Sequence, residues 1–215
     1  MKLYYSPGAC SLAPHIALHE LGVPFTAAKV DLHTHKLADG TDYYTVNPKG
    51  YVPLLELPGG ERLSEAAVIL QCIADRKPGA IAPAFGTMER YRLMEWLNFI
   101  ATEVHKQFAP LWYPTTPEAT KEAQRAKLAS RFDVISQTLA TQPYLTGEAF
   151  TIADAYLFTV VNWAGTLKVD LSRWPALRQF QARVAARPKV QEAMKAEGLI
   201  KDPAPAAKSS FTTAA

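Results

Sequence analysis

The chain has 215 residues, 48% of them apolar and 20% charged, with a net charge of +3 spread along its length. That is enough for one or two domains with a real core. No block of about five or six basic residues points to nucleic acid or a membrane surface, and no apolar run approaches the roughly 18 residues of a membrane span. Two cysteines, Cys10 and Cys72, make no disulfide framework and fit a reducing compartment. Met1-Lys2-Leu3-Tyr4-Tyr5 opens without a long apolar stretch or a cleavage site, so a cytoplasmic protein is expected.

In chain order, residues 2–5 predict a strand that Ser6-Pro7-Gly8 breaks. From Ser11 the apolar spacing of Leu12, Ile16, Leu18 and Leu21 predicts a helix that stops at Gly22. A second strand is predicted over 26–32, completing a βαβ unit with two parallel strands. His33 to Asp42 is polar, with a short helix or turn around 42–46. Pro53 precedes a third strand (LLEL), and Pro58-Gly59-Gly60 turns it into an antiparallel fourth, Glu61 to Leu63. Ser64 is expected to cap a helix over about 65–76. The order βαβ then ββα is the thioredoxin-like arrangement, here over residues 1–77.

Residues 78–86, rich in Pro and Gly, predict a linker. Beyond residue 87 only helical patterns appear, through 87–109, 117–140, 151–167, 174–187 and 188–196. Thr151 and Asp154 have the spacing of a capping box. The fold class is therefore α/β plus all-α: a thioredoxin-like domain, then a helical bundle over 87–201. The tail, 202–215, is poor in large apolar residues and is expected to be flexible.

Cys10 stands between a strand end and a helix start, where helix amides and dipole favour a thiolate; it could equally be a small packed residue. There is no C-x-x-C, since residue 13 is Ala. Cys72 lies among Ile69 and Ile73, as a core residue would. The Val52-Pro53 step suits a cis bond that leaves the Val52 backbone free to pair with an extended peptide, or an ordinary loop proline. Ser64-Glu65-Ala66 offers amides to a carboxylate and a carboxylate to an ammonium, as an amino-acid head group needs, though such starts are commonly plain helix caps. Asn98, Thr102 and His105 are spaced to share one helical face beside Glu103 and Lys106, lining a cleft or solvated. His15 and His19 have metal-binding spacing without an evident third ligand. No P-loop, G-x-G-x-x-G or G-x-S-x-G occurs.

MKLYYSPGACSLAPHIALHE, VNPKGYVPLLEL, LSEAAVILQCIAD, EWLNFIATEVHK, FTIADAYLFTVVNWA and RPKVQEAMKAEGLIK together resemble the beta class of bacterial glutathione transferases, over roughly residues 1–201. The resemblance implies a homodimer with one glutathione site per subunit, glutathione as co-substrate and no prosthetic group. Cys10 would lie beside the glutathione sulfur and form a mixed disulfide with it. Val52 would pair with the cysteinyl unit, with Pro53 cis, and Glu65 and Ala66 would hold the γ-glutamyl head. Asn98 and Glu103 would reach across from the other subunit. His105 and Lys106 would sit near the sulfur, and the segment from Thr102 through Val104 belongs to the same wall. His35 stands where the family often has Lys near the glycyl carboxylate, with Lys36 next to it. Ala66 replaces a usual Ser or Gly, and Tyr51 a common Gln.

The function so implied is attack of the glutathione thiolate on an apolar electrophile in the cleft between domains. Phe108, Trp112 and Tyr113 are candidates to line it. Two alternatives stand beside it: Cys10-dependent thiol–disulfide exchange, and a non-catalytic carrier of glutathione or apolar ligands.

Overall fold

The computed structural model describes residues 1–201; the tail, 202–215, lies outside the described residues. Strand β1 (Lys2–Tyr5) runs parallel to β2 (Thr26–Asp31) across α1 (Leu12–Leu21), and Gly22 ends that helix in the left-handed conformation that glycine adopts without strain. On its other side β1 pairs antiparallel with β4 (Leu54–Glu56), which turns into β5 (Arg62–Ser64). Helix α2 (Ala66–Ala74) follows at once. The sequence did not suggest β3 (Lys36–Leu37), which pairs antiparallel with β2 through Val30 opposite Leu37 and gives the sheet order β3-β2-β1-β4-β5. Two residues carry too little alternation to announce a strand.

The fourth strand ends one residue later than its pattern predicts, and this corrects the cap of α2. Ser64 closes β5, and Glu65 takes the cap position at φ 71° with no side-chain cap bond.

The helical part begins with α3 (Met88–Phe99), capped by Thr87, whose hydroxyl accepts from the Arg90 N–H at 3.2 Å. The predicted single helix over 87–109 is three segments. Residues 100–105 form a π-helical stretch, and α4 (Lys106–Trp112) then runs past Pro110. Helix α5 (Glu118–Leu139) is the longest at 22 residues. Helix α6 (Ile152–Val161) is wholly buried, and its capping box is formed: Asp154 accepts from the Thr151 N–H at 2.8 Å. A short α7 (Trp163–Thr166), α8 (Pro175–Ala185) and α9 (Pro188–Ala196) complete the bundle.

One apolar core runs through both parts. Leu3, Ile16, Leu18, Leu55 and Ile69 from the sheet side join Leu97, Phe132, Leu157 and Phe180 of the helices. At about 1.5–3 kcal/mol per fully buried large side chain, this is the chief stabilising term. Helix α1 packs on α2, α6 and α9, so the helical part is built directly onto the first helix of the sheet domain. Ion pairs stitch the parts together. Arg90, almost fully buried, reaches Asp75 at 3.0 Å, and Arg187 holds Glu20 at 2.7 Å. No helix among the described residues is long and apolar enough to cross a membrane.

Candidate active site

Between the two parts lies a cavity of about 660 Å³. Its floor is the turn from β1 into α1. Ser11 is fully buried: its hydroxyl accepts from the Ser6 N–H at 3.1 Å and donates to the Ser6 carbonyl at 3.2 Å, closing the turn. Gly8, at φ 71°, is held from two sides. Its N–H donates to Glu197 at 2.9 Å and its carbonyl accepts from the Trp163 indole at 2.8 Å. Glu197 in turn bonds His15 Nδ1 at 2.8 Å, so the histidine that sequence spacing offered as a metal candidate ties the end of the bundle to this turn.

Cys10 opens into the cavity, its thiol donating to the Val52 carbonyl at 3.3 Å. Burial pushes that thiol up to about 12, against the lowering by its own and Ser11's backbone N–H groups. Desolvation therefore outweighs the helix start, and the group is a protonated donor at neutral pH. The Val52–Pro53 bond is cis. Tyr43 and Asn47 both donate to the Tyr51 carbonyl, at 3.0 and 2.7 Å, fixing the strand's approach. The Val52 N–H has no partner among the described residues. Ser64, Glu65 and Ala66 line one end of the cavity beside Lys49, whose ammonium donates to Ser64 Oγ at 3.0 Å and Glu65 at 3.3 Å. A carboxylate, a cation and helix amides thus stand together, as a zwitterionic head group requires.

The helical wall supplies His105, Lys106, Ala101, Ala109, Trp112, Tyr156 and Trp163. His105 is held well below the usual imidazole range, at about 4, by burial first and by Lys106 second. The expected shared face of Asn98, Thr102 and His105 is not what forms. The π-helical stretch widens the turn, so His105 falls in line with Ala101 and Ala109 toward the cavity, while Asn98 and Thr102 stay exposed outside it. Val104 is buried in the core. Glu103 also lies outside the cavity and accepts from Arg131 Nε at 2.9 Å. His35 is likewise apart from the cavity, stacked on Tyr44 at 4.6 Å, and Leu32 is the lining residue from that region. Of the three aromatic candidates Trp112 lines the cavity, Phe108 is core and Tyr113 faces solvent. Sequence reading missed Tyr156, Trp163 and Lys49. The first two lie on helices that read as plain core, and only their distance from His105 and Gly8 singles them out.

A thioredoxin-like sheet domain, a helical bundle and an interdomain cavity with a cis proline and a thiol define the architecture of a thiol-peptide transferase. Residues 8–76 match the family model of the glutathione S-transferase N-terminal domain, and residues 83–188 that of the C-terminal domain. Glutathione S-transferase GstA of Escherichia coli O157:H7 is 48% identical over 201 residues, spanning 93% of this chain and all of the relative. The solved sphingomonad glutathione S-transferase complexed with glutathione is 45% identical, with a TM-score of 0.89 over 93% of this chain and 100% of the other. The bacterial beta-class enzyme of Sphingomonas chungbukensis is 46% identical, with a TM-score of 0.89 and the same coverage. The chain belongs to the glutathione S-transferase family, in its beta class.

Proposed function

We propose that this protein conjugates the thiolate of glutathione to apolar, electrophilic small molecules in the cavity between its two domains, residues 1–77 and 87–201. The observation that carries the reading is one wall holding a peptide-pairing edge, a head-group end and a thiol donor: Val52, then Glu65 and Ala66, then Cys10. The free Val52 N–H takes the cysteinyl carbonyl as a β-strand partner would. Glu65 receives the γ-glutamyl ammonium and the start of α2 its carboxylate. On binding, Cys10 turns its single S–H from the Val52 carbonyl to the glutathione sulfur as a hydrogen bond, and His105 lines the same cavity. Trp112, Trp163, Ala101 and Ala109 form an apolar wall for the second substrate.

The raised Cys10 thiol favours this reading over exchange, because the thiolate is the nucleophile in exchange. The partner contributions expected of Asn98 and Glu103 fit their positions outside the subunit's own cavity, on a helix that also carries the exposed Met88 and Tyr91. A homodimer, glutathione as co-substrate without a prosthetic group, and a cytoplasmic site of action complete the reading. The test is calorimetry with reduced glutathione followed by turnover of an aryl halide. Saturable binding and conjugate formation are expected. No binding at millimolar glutathione overturns it; binding without turnover favours a carrier.

A further inference from the structure

We propose that Tyr156 is a positioning residue for His105: its hydroxyl donates to the imidazole Nδ1 and so holds the ring as the Nε2–H tautomer, turning a hydrogen-bond donor toward the glutathione sulfur. This rests on the reading of His105 given above and adds the direction of its proton.

His105 Nδ1 and Tyr156 Oη are 2.8 Å apart. A neutral imidazole has one N–H and one accepting nitrogen, and the bond made by one decides the state of the other. Tyr156 is buried, and its hydroxyl has no other acceptor among the described residues. If Nδ1 carried the proton, the phenol proton would have no protein acceptor, and a buried unpaired donor is costly. Nδ1 is therefore the acceptor, and Nε2 keeps the hydrogen. Two rings fix the imidazole plane, Tyr156 at 5.9 Å and Trp163 at 4.9 Å. The titratable groups facing this pair are Lys106 beside it on the chain, with Cys10 and Glu65 from the sheet domain. Burial keeps the imidazole neutral and pushes the Tyr156 phenol upward, so neither changes charge near neutral pH.

The chemistry follows. Nε2 has no lone pair for the thiol proton, so that proton leaves to solvent. The sulfur that remains accepts from His105 and Cys10, then attacks the electrophile and expels its leaving group as the anion.

The experiment has two arms. A two-bond nitrogen–proton spectrum of nitrogen-15 histidine-labelled protein is expected to show His105 with a bare Nδ1 and a protonated Nε2 across pH 6–8. Tyr156→Phe should give a mixture of tautomers. In the same variant kcat for an aryl halide should fall about tenfold, one hydrogen bond's worth, with the KM for glutathione nearly unchanged. His105→Gln, which restores an N–H near the Nε2 position, should retain more turnover than His105→Ala. A wild-type spectrum with Nδ1–H overturns the tautomer assignment while leaving glutathione turnover intact. Equal loss in His105→Gln and His105→Ala overturns the donor role. Full activity in His105→Ala overturns the underlying reading of His105 as a sulfur ligand.

Discussion

Cys10 is where two enzymatic chemistries part. Its thiol is half-buried at the cavity wall, raised to about 12 by desolvation and hydrogen-bonded to the Val52 carbonyl. Alkylation by iodoacetamide should therefore climb steadily through pH 6–9 without the plateau that marks a formed thiolate; a plateau near neutrality would contradict the geometry. Serine keeps a donor of similar size but forms no disulfide. Cys10→Ser should lower conjugation by about tenfold, and oxidised glutathione should glutathionylate the wild type only slowly near neutral pH, faster as pH rises, and the variant not at all. Mass spectrometry of the intact protein reads the second result, and an adduct that persists on Cys72 would reverse the assignment. At this scale the sequence was partly legible. The places of Cys10, Val52, Pro53, Glu65 and Ala66 at strand ends and a helix start were legible from local Pro and Gly, whereas the roles expected of them came with the family resemblance. Tyr156 and Trp163 were not legible, since their roles depend on contacts to residues 51 positions and 155 positions away. The turn chemistry of Gly8 likewise shows only once Glu197 is seen to hold it.

Among the elements, the segment over 100–105 decides which side chains face the cavity. Nothing in Ile-Ala-Thr-Glu-Val-His breaks an α-helix, so periodicity predicts an unbroken face, and the widened turn then selects His105 and leaves Thr102 outside. Such bulges recur at functional sites. The capping box of α6 was, by contrast, fully written in Thr151 and Asp154. Its consequences are larger than a surface cap, because Asp154 is buried and accepts from Thr151 twice and from the Leu145 N–H at 2.9 Å. Asp154→Ala leaves these donors unpaired and should cost about 3 kcal/mol by urea unfolding, with glutathione affinity of the folded fraction little changed. Burial raises the carboxyl from 3.8 to about 6. The folded state then binds a proton that the unfolded state has lost, so this group favours folding below about pH 4 and that contribution fades as pH rises through 6. The stability of wild type relative to Asp154→Asn should grow by about 1 kcal/mol from pH 7 to pH 5. A difference that shrinks on acidification would mean that the hydrogen bonds outweigh burial.

For the whole molecule, the division into a sheet domain and a helical bundle was legible because strand and helix periodicities do not mix in this chain. What joins the parts was not legible, since Asp75–Arg90 and Glu20–Arg187 are ion pairs between segments that look like ordinary solvated surface. The proposed homodimer would cover exposed apolar side chains of α2 and α3, among them Val68, Met88 and Tyr91. Sedimentation should give twice the chain mass at micromolar concentration. Tyr91→Asp should shift the protein toward the monomer and weaken glutathione binding, as a site completed across subunits requires. A monomeric wild type with intact activity would refute that dependence.

The hold of Glu197 on Gly8 also orders events in time. The turn that carries Cys10 emerges early from the ribosome, and the carboxylate that fixes it is synthesised 189 positions later. Nascent chains halted before residue 197 leaves the exit tunnel would carry the cavity residues proposed to bind glutathione yet lack the brace beneath them. Glutathione capture should consequently appear only once residue 197 has emerged, and not with the first domain alone.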